Sequence, residues 1–197
     1  MAAEWGVLAL AAGGGYLLGS VPFGLVLTKL AGLGDIRAVG SGNIGATNVL
    51  RTGRKGLAAA TLILDGAKGT AAVLIALAFA DREAALIAGL AAVLGHNFPV
   101  WLRFKGGKGV ATSLGALIGA AWPVGVAACA TWLAVAGLFR VSSLAALVAL
   151  GLAPLYAYLT GDTKAALLAL ALALLSAIRH RANIRRLIQG EEPRIGK

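Results

Sequence analysis

Three polar segments interrupt an otherwise apolar sequence, and their residue types suit the binding of anions. The first, residues 40–51, combines three glycines, four hydrogen-bonding side chains and one arginine. Glycines let backbone N–H groups approach an oxyanion closely, and an arginine can bind phosphate through two parallel hydrogen bonds. A polar loop before a helix capped by Ser41 or Asn43 is the alternative interpretation of this segment.

The same segment matches the dinucleotide-binding pattern G-x-G-x-x-G at Gly40, Gly42 and Gly45, and Asp65 follows at the spacing that the pattern requires. That pattern binds a dinucleotide only when it follows a buried strand within a βαβ unit. The sequence predicts no such strand, and Asp65 lies within a predicted membrane span. We therefore expect no dinucleotide site here.

The second segment begins at His96 and continues into a glycine-rich stretch, where Gly106, Gly107 and Gly109 surround Lys108. An apolar helix is predicted to follow directly, and the N-terminus of a helix is a favourable place for an anion. This is not a Walker A loop, because Gly109 follows Lys108 where Ser or Thr is required. A basic loop that only orients the protein in a membrane would explain the charge but not the three glycines.

The third segment, residues 179–187, places His180 and Asn183 three residues apart, on one face of a helix. Its arginines suit lipid phosphates as well as a binding site. Asp65 and Lys68 are also three residues apart, within an apolar stretch. Intramembrane charges are costly, so these two are expected to pair, either to order a site or to take part in it.

The elements that carry these segments must lie in a membrane. Hydrophobic residues make up 59% of the 197 residues and charged residues 13%, against about 45–50% and about 25% in soluble domains. A soluble monomer and a disordered chain are therefore excluded. The single cysteine, Cys129, excludes a disulfide scaffold and a cysteine-based zinc site. The net charge of +10 comes from basic residues between apolar runs, which indicates membrane topology and not nucleic-acid binding.

Apolar stretches of about 20 residues, the length that crosses a bilayer, predict an all-α, polytopic membrane protein. We expect about seven transmembrane helices in a single domain, residues 1–197. The uncharged residues 110–139 are predicted to form a hairpin that turns at Trp122-Pro123, and its first arm is short enough for a shallow or re-entrant hairpin. Gly13-Gly14-Gly15 and Gly115/Gly119 predict close helix packing. The predicted spans are residues 5–27, 56–80, 84–102, 110–139, 141–159 and 165–178.

With this hairpin, positive charge divides unevenly across the membrane. Only two basic residues, Arg82 and Lys164, fall on the side of the N-terminus. Basic residues favour the cytoplasmic side, so we expect the N-terminus outside, the C-terminus in the cytoplasm and all three polar segments facing the cytoplasm. Fifteen basic residues fall on that second side: Lys29, Arg37, Arg51, Arg54, Lys55, Arg103, Lys105, Lys108, Arg140, Arg179, Arg181, Arg185, Arg186, Arg194 and Lys197.

The three polar segments together resemble the motifs of the bacterial acyl-phosphate:glycerol-3-phosphate acyltransferase family (PlsY). Residues 40–51 resemble the first motif, residues 96–99 with 105–112 the second, and residues 180–183 with Gly190-Glu191 the third. Residues 65–69 resemble a further feature of the family. The resemblance implies a multi-pass enzyme of the bacterial cytoplasmic (inner) membrane that transfers a fatty acyl group from acyl phosphate to the 1-hydroxyl of sn-glycerol 3-phosphate. Lysophosphatidic acid and phosphate would be the products, in phospholipid biosynthesis.

With that reaction, the residues of the three segments take expected roles. The catalytic residues are expected to be Ser41, Lys108, His96 and His180. Glycerol 3-phosphate is expected to contact Ser41, Asn43, Arg51, Lys108, His180 and Asn183. Acyl phosphate is expected to contact Thr47, Asn48, Lys105, Gly106, Gly107, Lys108, Gly109 and Thr112.

The segments also lack certain groups. They contain no Asp or Glu before the tail and no H-x-x-x-x-D box, and no acid cluster could hold Mg²⁺, so neither a metal nor a cofactor is expected. Acyl phosphate is already activated, so direct transfer by positioning and charge neutralisation is expected, without an acyl-enzyme. The proton of the glycerol hydroxyl is expected to go to His96, His180 or a substrate phosphate, and we favour the phosphate.

A phosphate or organophosphate membrane transporter is the alternative function, because glycine-rich helix N-termini with basic groups also suit anion transport. Two observations disfavour it: all polar segments fall on one predicted side of the membrane, and the sequence shows no repeated half. A purely structural membrane subunit would leave the three segments unexplained. The expected partners are acyl phosphate, glycerol 3-phosphate and membrane lipid, and no nucleic acid.

Overall fold

The computed structural model describes residues 2–196, and every regular element among them is helical. No strand occurs in this part of the chain, so the dinucleotide pattern lacks the βαβ unit that it needs. Short 3₁₀ turns at Ile36–Ala38 and Val100–Leu102 lie within the loops. The ten α-helices are α1 Ala2–Gly19, α2 Phe23–Leu30, α3 Ala46–Leu50, α4 Lys55–Phe79, α5 Arg82–Asn97, α6 Val110–Ala120, α7 Trp122–Phe139, α8 Ser142–Leu159, α9 Thr163–Arg179 and α10 Arg181–Gln189.

Most of these helices are built to cross a membrane. Within the described chain, five helical segments are long and apolar enough to do so, and six if α9 and α10, which meet at a 66° bend, count as one. The first is α1 with α2, interrupted at Val21 and Pro22. The prediction of an all-α polytopic membrane protein is therefore confirmed, while the count of seven and the orientation of the termini stay predictions.

The uncharged run of residues 110–139 divides into two helices, as the sequence predicted. Helix α6 ends at Ala120 and α7 begins at Trp122, with Pro123 in its first turn, where a missing N–H costs nothing. Gly125 of α7 packs against the backbone of Ile118 in α6, so the two arms are in contact. With 11 residues, α6 is only about 17 Å long.

Two helix pairs are held together by backbone contact at glycines. A Cβ built on Gly15 of α1 would lie 2.4 Å from the carbonyl oxygen of Ala88 in α5. A Cβ on Gly115 of α6 would lie 2.0 Å from the carbonyl oxygen of Gly66 in α4. Small residues drive helix association in membranes because they let backbones approach closely.

The predicted glycine contacts are thus only partly correct. Gly15, Gly115 and Gly119 lie at tight helix contacts. Gly13 and Gly14 do not, since a Cβ on either would meet nothing within 4 Å. The sequence predicted the small-residue stripe on α1 but not which of its members faces α5.

A buried ammonium group joins the first span to α4 and α5. Lys68 in α4 is 3% exposed, and its Nζ donates to the carbonyl oxygen of Val21 at 2.8 Å and to His96 Nδ1 at 2.9 Å. It also forms an ion pair with Asp65 Oδ1 at 2.8 Å. The ammonium also lies 5.6 Å from the centre of the Phe23 ring, at the start of α2. The predicted pair of Asp65 and Lys68 is present. Lys68 also bonds to the backbone at Val21, in the break between α1 and α2.

At the opposite end of the bundle, two ion pairs join the start of α5 to the start of α9. Arg82 pairs with Asp162, and Lys164 pairs with Glu83 at 2.5 Å. These are the two basic residues that the sequence assigned to the non-cytoplasmic side. Their placement at one end, away from the glycine-rich loop, agrees with that division of charge.

The glycine contact between α1 and α5 gives a stability prediction. Gly15→Ala would place a methyl group against the Ala88 carbonyl, and overpacking of this kind costs about 1–3 kcal/mol. We expect a lower midpoint of thermal unfolding in detergent. Gly13→Ala on the same helix meets no neighbour and is expected to be neutral or stabilising by up to about 1 kcal/mol, because Ala is the better helix former. Equal unfolding temperatures for the two variants would contradict the contact.

Candidate active site

The glycine-rich loop before α6 is held in place by its backbone. Gly106 N–H donates to the carbonyl oxygen of Asn97 at 3.2 Å, and Gly107 N–H donates to that of His96 at 3.0 Å. A Cβ on Gly107 would lie 2.1 Å from His96 Nε2, so a larger residue there would require the His96 ring to move. Gly109 has a φ of +75° directly before the helix. The loop is therefore folded back onto the end of α5.

Arg179, the last residue of α9, fixes the other side of this loop. Its guanidinium donates to the carbonyl oxygens of Gly106 and Gly107 at 2.8 to 3.1 Å and lies 5.0 Å from the centre of the Phe98 ring. A trans peptide places its C=O and N–H on opposite sides. The N–H of Lys108 therefore points away from Arg179, and the N–H groups in the first turn of α6, which follows directly, have no partner within the helix.

Two polar side chains are buried beneath the N-terminus of α6 without a hydrogen-bond partner in the described chain. They are Thr112, through Oγ1, and Asn97, through both atoms of its amide, and each is 0% exposed. The Asn97 oxygen lies 2.6 Å from where a Cβ on Gly109 would be. Buried polar groups are nearly always hydrogen-bonded, so these atoms and the helix N-terminus indicate a place for a polar ligand.

Lys108 connects the second polar segment to the third. Its Nζ donates to Asn183 Oδ1 at 2.6 Å, and Asn183 Nδ2 donates to Glu192 Oε1. Glu192 also accepts from Ser143 Oγ and from Arg186 Nε, each at 2.7 Å. The carboxylate thus receives three donors and anchors the amide that faces Lys108.

Burial lowers the pKa of Lys108 to about 8, although the Glu192 carboxylate opposes the shift. The positive charges of Arg186, Arg179 and Arg51 lower this pKa further. Several like charges collected around a half-buried lysine raise the free energy of the empty site. A bound dianion would relieve that repulsion, so this charge distribution is suited to phosphate.

In the first polar segment, Asn48 is a structural residue of the loop. It is 2% exposed, its Oδ1 accepts from Ser41 N–H at 3.0 Å, and its Nδ2 donates to the carbonyl oxygens of Ile36, Val39 and Asn43 at 2.8 to 2.9 Å. Both amide hydrogens are used within the protein. Direct contact of Asn48 with acyl phosphate stays a prediction, and this geometry does not favour it.

The other side chains of this segment remain open to a ligand. Ser41 is exposed, and its hydroxyl lies 3.3 Å from Asn48 Oδ1. Arg51 lies against Gly40, and its guanidinium has no hydrogen-bond partner within residues 2–196. Asn43 Oδ1 accepts from Gly45 N–H at 3.3 Å, which leaves its amide hydrogens available. Ser41, Asn43 and Arg51 are thus presented by the loop that Asn48 holds.

Thr47 joins the first segment to α8. Its hydroxyl lies 3.2 Å from that of Ser142, the first residue of α8, and the next residue, Ser143, contacts Glu192. A chain of polar contacts therefore runs from the first segment through α8 and Glu192 to Asn183 and Lys108. It shows that the three segments meet at one end of the bundle.

The two histidines lie at different places in this arrangement. His180, between α9 and α10, is 2% exposed, and its Nδ1 lies 2.8 Å from the carbonyl oxygen of Ser176. His96, at the end of α5, is 4% exposed and contacts Lys68 through Nδ1. Lys105 is exposed at the edge of the loop without a hydrogen-bond partner in the described part of the chain.

Sequence reasoning missed the residues that act through tertiary contacts. Glu192 enters the network, whereas the acid quoted from the sequence, Glu191, is exposed. Arg179 and Arg186, which suited lipid phosphates equally well, bind the glycine loop and Glu192 instead. Ser143 could have been noticed only as a hydroxyl at a helix start on the same predicted side as the three segments.

Comparison with known proteins gives one family. The sequence profile of the family "Glycerol-3-phosphate acyltransferase" matches residues 9–190. A glycerol-3-phosphate acyltransferase of Paramagnetospirillum magneticum is 65% identical over 183 residues, which cover 93% of this chain and 91% of that protein. One of Rhodospirillum rubrum is 66% identical over 199 residues, covering 97% and 91%.

Two solved structures match in fold as well as in sequence. Both are of PlsY, an integral membrane glycerol 3-phosphate acyltransferase. Its glycerol 3-phosphate form has a TM-score of 0.90 and 40% identity and covers 96% of each chain. Its lysophosphatidic acid form has a TM-score of 0.88 and 38% identity and covers 96% of this chain and 95% of the other. The chain described here belongs to the glycerol-3-phosphate acyltransferase family.

Proposed function

We propose that this acyltransferase moves a fatty acyl group from acyl phosphate to the 1-hydroxyl of sn-glycerol 3-phosphate and releases lysophosphatidic acid and phosphate. The observation that carries the proposal is the cluster of Lys108, Arg51 and the open N-terminus of α6 at one end of an apolar bundle. Such a site accepts phosphate groups, while the surrounding helices accommodate an acyl chain. The relatives' name and the two PlsY forms, with glycerol 3-phosphate and with lysophosphatidic acid, support the same acceptor and product.

The two substrates are assigned to neighbouring parts of the site. Acyl phosphate binds at the N-terminus of α6, where the N–H groups of residues 108–112 and the Thr112 hydroxyl lack partners within the described chain. Gly106 and Gly107 shape this place without donating, because their N–H groups are already used. Glycerol 3-phosphate binds on the other side of Lys108, where it contacts Ser41, Asn43, Arg51, His180 and Asn183. Lys108 therefore lies between the two phosphates.

Transfer is direct in this proposal. The glycerol hydroxyl oxygen bonds to the acyl carbonyl carbon, the bond from that carbon to the phosphate oxygen breaks, and phosphate leaves. The Ser41 hydroxyl faces an amide oxygen of Asn48, which takes up no proton near neutral pH, so nothing there activates the serine as a nucleophile. Ser41 therefore positions substrate.

The hydroxyl proton passes to a substrate phosphate. Glu192 is unsuited as the base, because its carboxylate already receives three donors. A phosphate with a second pKa of about 6 accepts a proton near neutral pH. The departing phosphate then leaves as the monoprotonated dianion, which balances the reaction without a further acid.

We place the site on the cytoplasmic side of the bacterial inner membrane. The charge division of the sequence supports this, since the polar segments and most basic residues lie at one end of the bundle and the pairs Arg82–Asp162 and Lys164–Glu83 at the other. Glycerol 3-phosphate, a soluble anion, would enter from the cytoplasm. The donor would reach the site from the membrane.

The proposal is tested by product formation in detergent. Purified protein supplied with palmitoyl phosphate and glycerol 3-phosphate is expected to form lysophosphatidic acid without added Mg²⁺. Palmitoyl-CoA is expected to be far poorer, because no separate domain that could bind its nucleotide occurs among residues 2–196. Strong inhibition by EDTA would contradict transfer without a metal ion. Equal rates with palmitoyl-CoA would contradict the proposed donor.

The same preparation separates direct transfer from a covalent route. With palmitoyl phosphate alone, mass spectrometry is expected to find Ser41 unmodified. A palmitoyl group on Ser41 would contradict direct transfer. Phosphate uptake into sealed vesicles without product formation would favour a transporter instead.

Replacing single basic residues should show which of their side chains bind phosphate. Arg51→Ala and Lys108→Ala each remove a charge-assisted contact worth about 2–5 kcal/mol, so kcat/KM should fall between about 30-fold and several thousand-fold. Arg194→Ala, at an exposed position of the tail, is the matched control and should be mild. Equal losses for all three would indicate a general effect of positive charge.

The pKa of Lys108 predicts a basic limb in the pH profile. With a pKa of about 8 in the free enzyme, the ammonium loses its proton as the pH rises through 8. Since kcat/KM reports the free enzyme, it should fall by about tenfold per pH unit above that point. In Lys108→Arg the guanidinium stays protonated throughout this pH range. The variant should react more slowly, and its pH profile should lack the basic limb. An unchanged limb in that variant would assign it to another group.

A further inference from the structure

The buried Lys68 lies outside the phosphate site, yet its contacts reach the glycine loop. An ammonium group has three hydrogens to donate and no lone pair. The Val21 carbonyl oxygen and His96 Nδ1 accept one each, at 2.8 and 2.9 Å, and the Asp65 carboxylate forms an ion pair with the ammonium at 2.8 Å. One of the ammonium hydrogens of Lys68 is therefore directed at a histidine.

This contact determines which nitrogen of His96 carries the proton. Asp65 Oδ1 lies 3.6 Å from Nδ1, too far for a hydrogen bond, whereas the Lys68 ammonium lies at 2.9 Å. Because the ammonium only donates, Nδ1 must accept. A neutral imidazole has one proton, so it must be on Nε2.

His180 is held in the opposite tautomer. Its Nδ1 lies 2.8 Å from the backbone carbonyl oxygen of Ser176 and 3.2 Å from the Ser176 hydroxyl. The carbonyl oxygen is the nearer of the two and only accepts, while the hydroxyl accepts as readily as it donates. Nδ1 therefore carries the proton of the neutral ring, and Nε2 keeps its lone pair. The two histidines of the sequence thus present different groups: His96 an N–H donor and His180 an acceptor.

The donor of His96 is directed at the glycine loop. Nε2 is the ring atom nearest to Gly107, 2.1 Å from where its Cβ would be, and it has no hydrogen-bond partner within residues 2–196. The neighbouring N–H groups of Lys108 and the first turn of α6 are also open. His96 Nε2–H therefore faces the loop that leads into these N–H groups.

We propose that Lys68, with Asp65 as its counter-ion, is a positioning residue of the acyl transfer that fixes His96 as an N–H donor to the phosphate bound at the N-terminus of α6. The role of the donor rests on the proposed function. Burying an ion pair costs several kcal/mol in desolvation and is often no better for stability than an apolar pair of the same volume. The Lys68–Asp65 pair fixes the tautomer of His96, which an apolar pair could not do because it has no hydrogen to donate to Nδ1. His96, as a donor, is then excluded as the base.

The tautomers are measured directly by ¹⁵N NMR of histidine-labelled protein in detergent at pH 7. Only two rings contribute, and His180→Asn assigns them. We expect Nε2 protonated in His96 and Nδ1 protonated in His180. Inorganic phosphate added to the wild type should shift the His96 Nε2 resonance more than its Nδ1 resonance. A His96 ring protonated on Nδ1 or on both nitrogens, or no response of Nε2 to phosphate, would overturn the proposal.

A charge-balanced double variant tests the role of Lys68 in the reaction. Asp65→Asn with Lys68→Met removes both charges, whereas Lys68→Met alone would leave a buried carboxylate unpaired. We expect His96 to lose its fixed tautomer and kcat/KM to fall by about 10- to 100-fold, the usual effect of removing a partner that orients a functional histidine. Full activity in a double variant that has lost the tautomer would refute the positioning role.

The matched control is Glu83→Gln with Lys164→Met, which removes an exposed ion pair at the far end of the bundle. It should leave both the His96 resonances and the activity unchanged. The NMR measurements need no substrate turnover. If they give the expected tautomers while wild-type protein makes no product from palmitoyl phosphate, the proposed function fails and the tautomer assignment stands.

Discussion

The placement of one buried positive charge constrains much of this structure. The Lys68 ammonium lies inside a membrane protein and must find its counter-ion and hydrogen-bond partners there, because unpaired charge is costly in such surroundings. Its partners come from the break between α1 and α2, from α4 itself and from the end of α5. Satisfying one group therefore sets the relative positions of three elements, and the glycine loop is folded onto the last of them.

Much of the fold could be predicted because membrane helices follow simple rules of length and apolarity. The hairpin at Trp122 followed from a long uncharged run with a proline near its middle, and the structure divides the run there. The three polar segments were recognised from composition and spacing. Their convergence was expected from the division of charge, and the contacts of Thr47 and Lys108 provide it.

Other features could not be predicted, because they depend on partners that are distant in sequence or belong to the backbone. Lys68 bonds to a carbonyl 47 residues away, a group that every residue type carries. Asn48 was expected at the donor substrate, but its amide holds its own loop together. Glu192 lies beside Ser143 across 49 residues, and its neighbour Glu191 is the same residue type in an exposed position. Sequence type alone does not distinguish such pairs.

The glycine contacts of α1 with α5 and of α4 with α6 have a consequence for temperature. At these contacts the backbones of two helices approach each other directly. The attraction comes from van der Waals packing of complementary surfaces, because no water is expelled between helices that already lie in lipid. Hydrophobic stabilisation in soluble domains weakens on cooling because it depends on the hydration of apolar surface. The association of these two helix pairs does not depend on the hydration of apolar surface. It should therefore persist at low temperature, where a hydrophobic core of the same size in a soluble domain would become less stable.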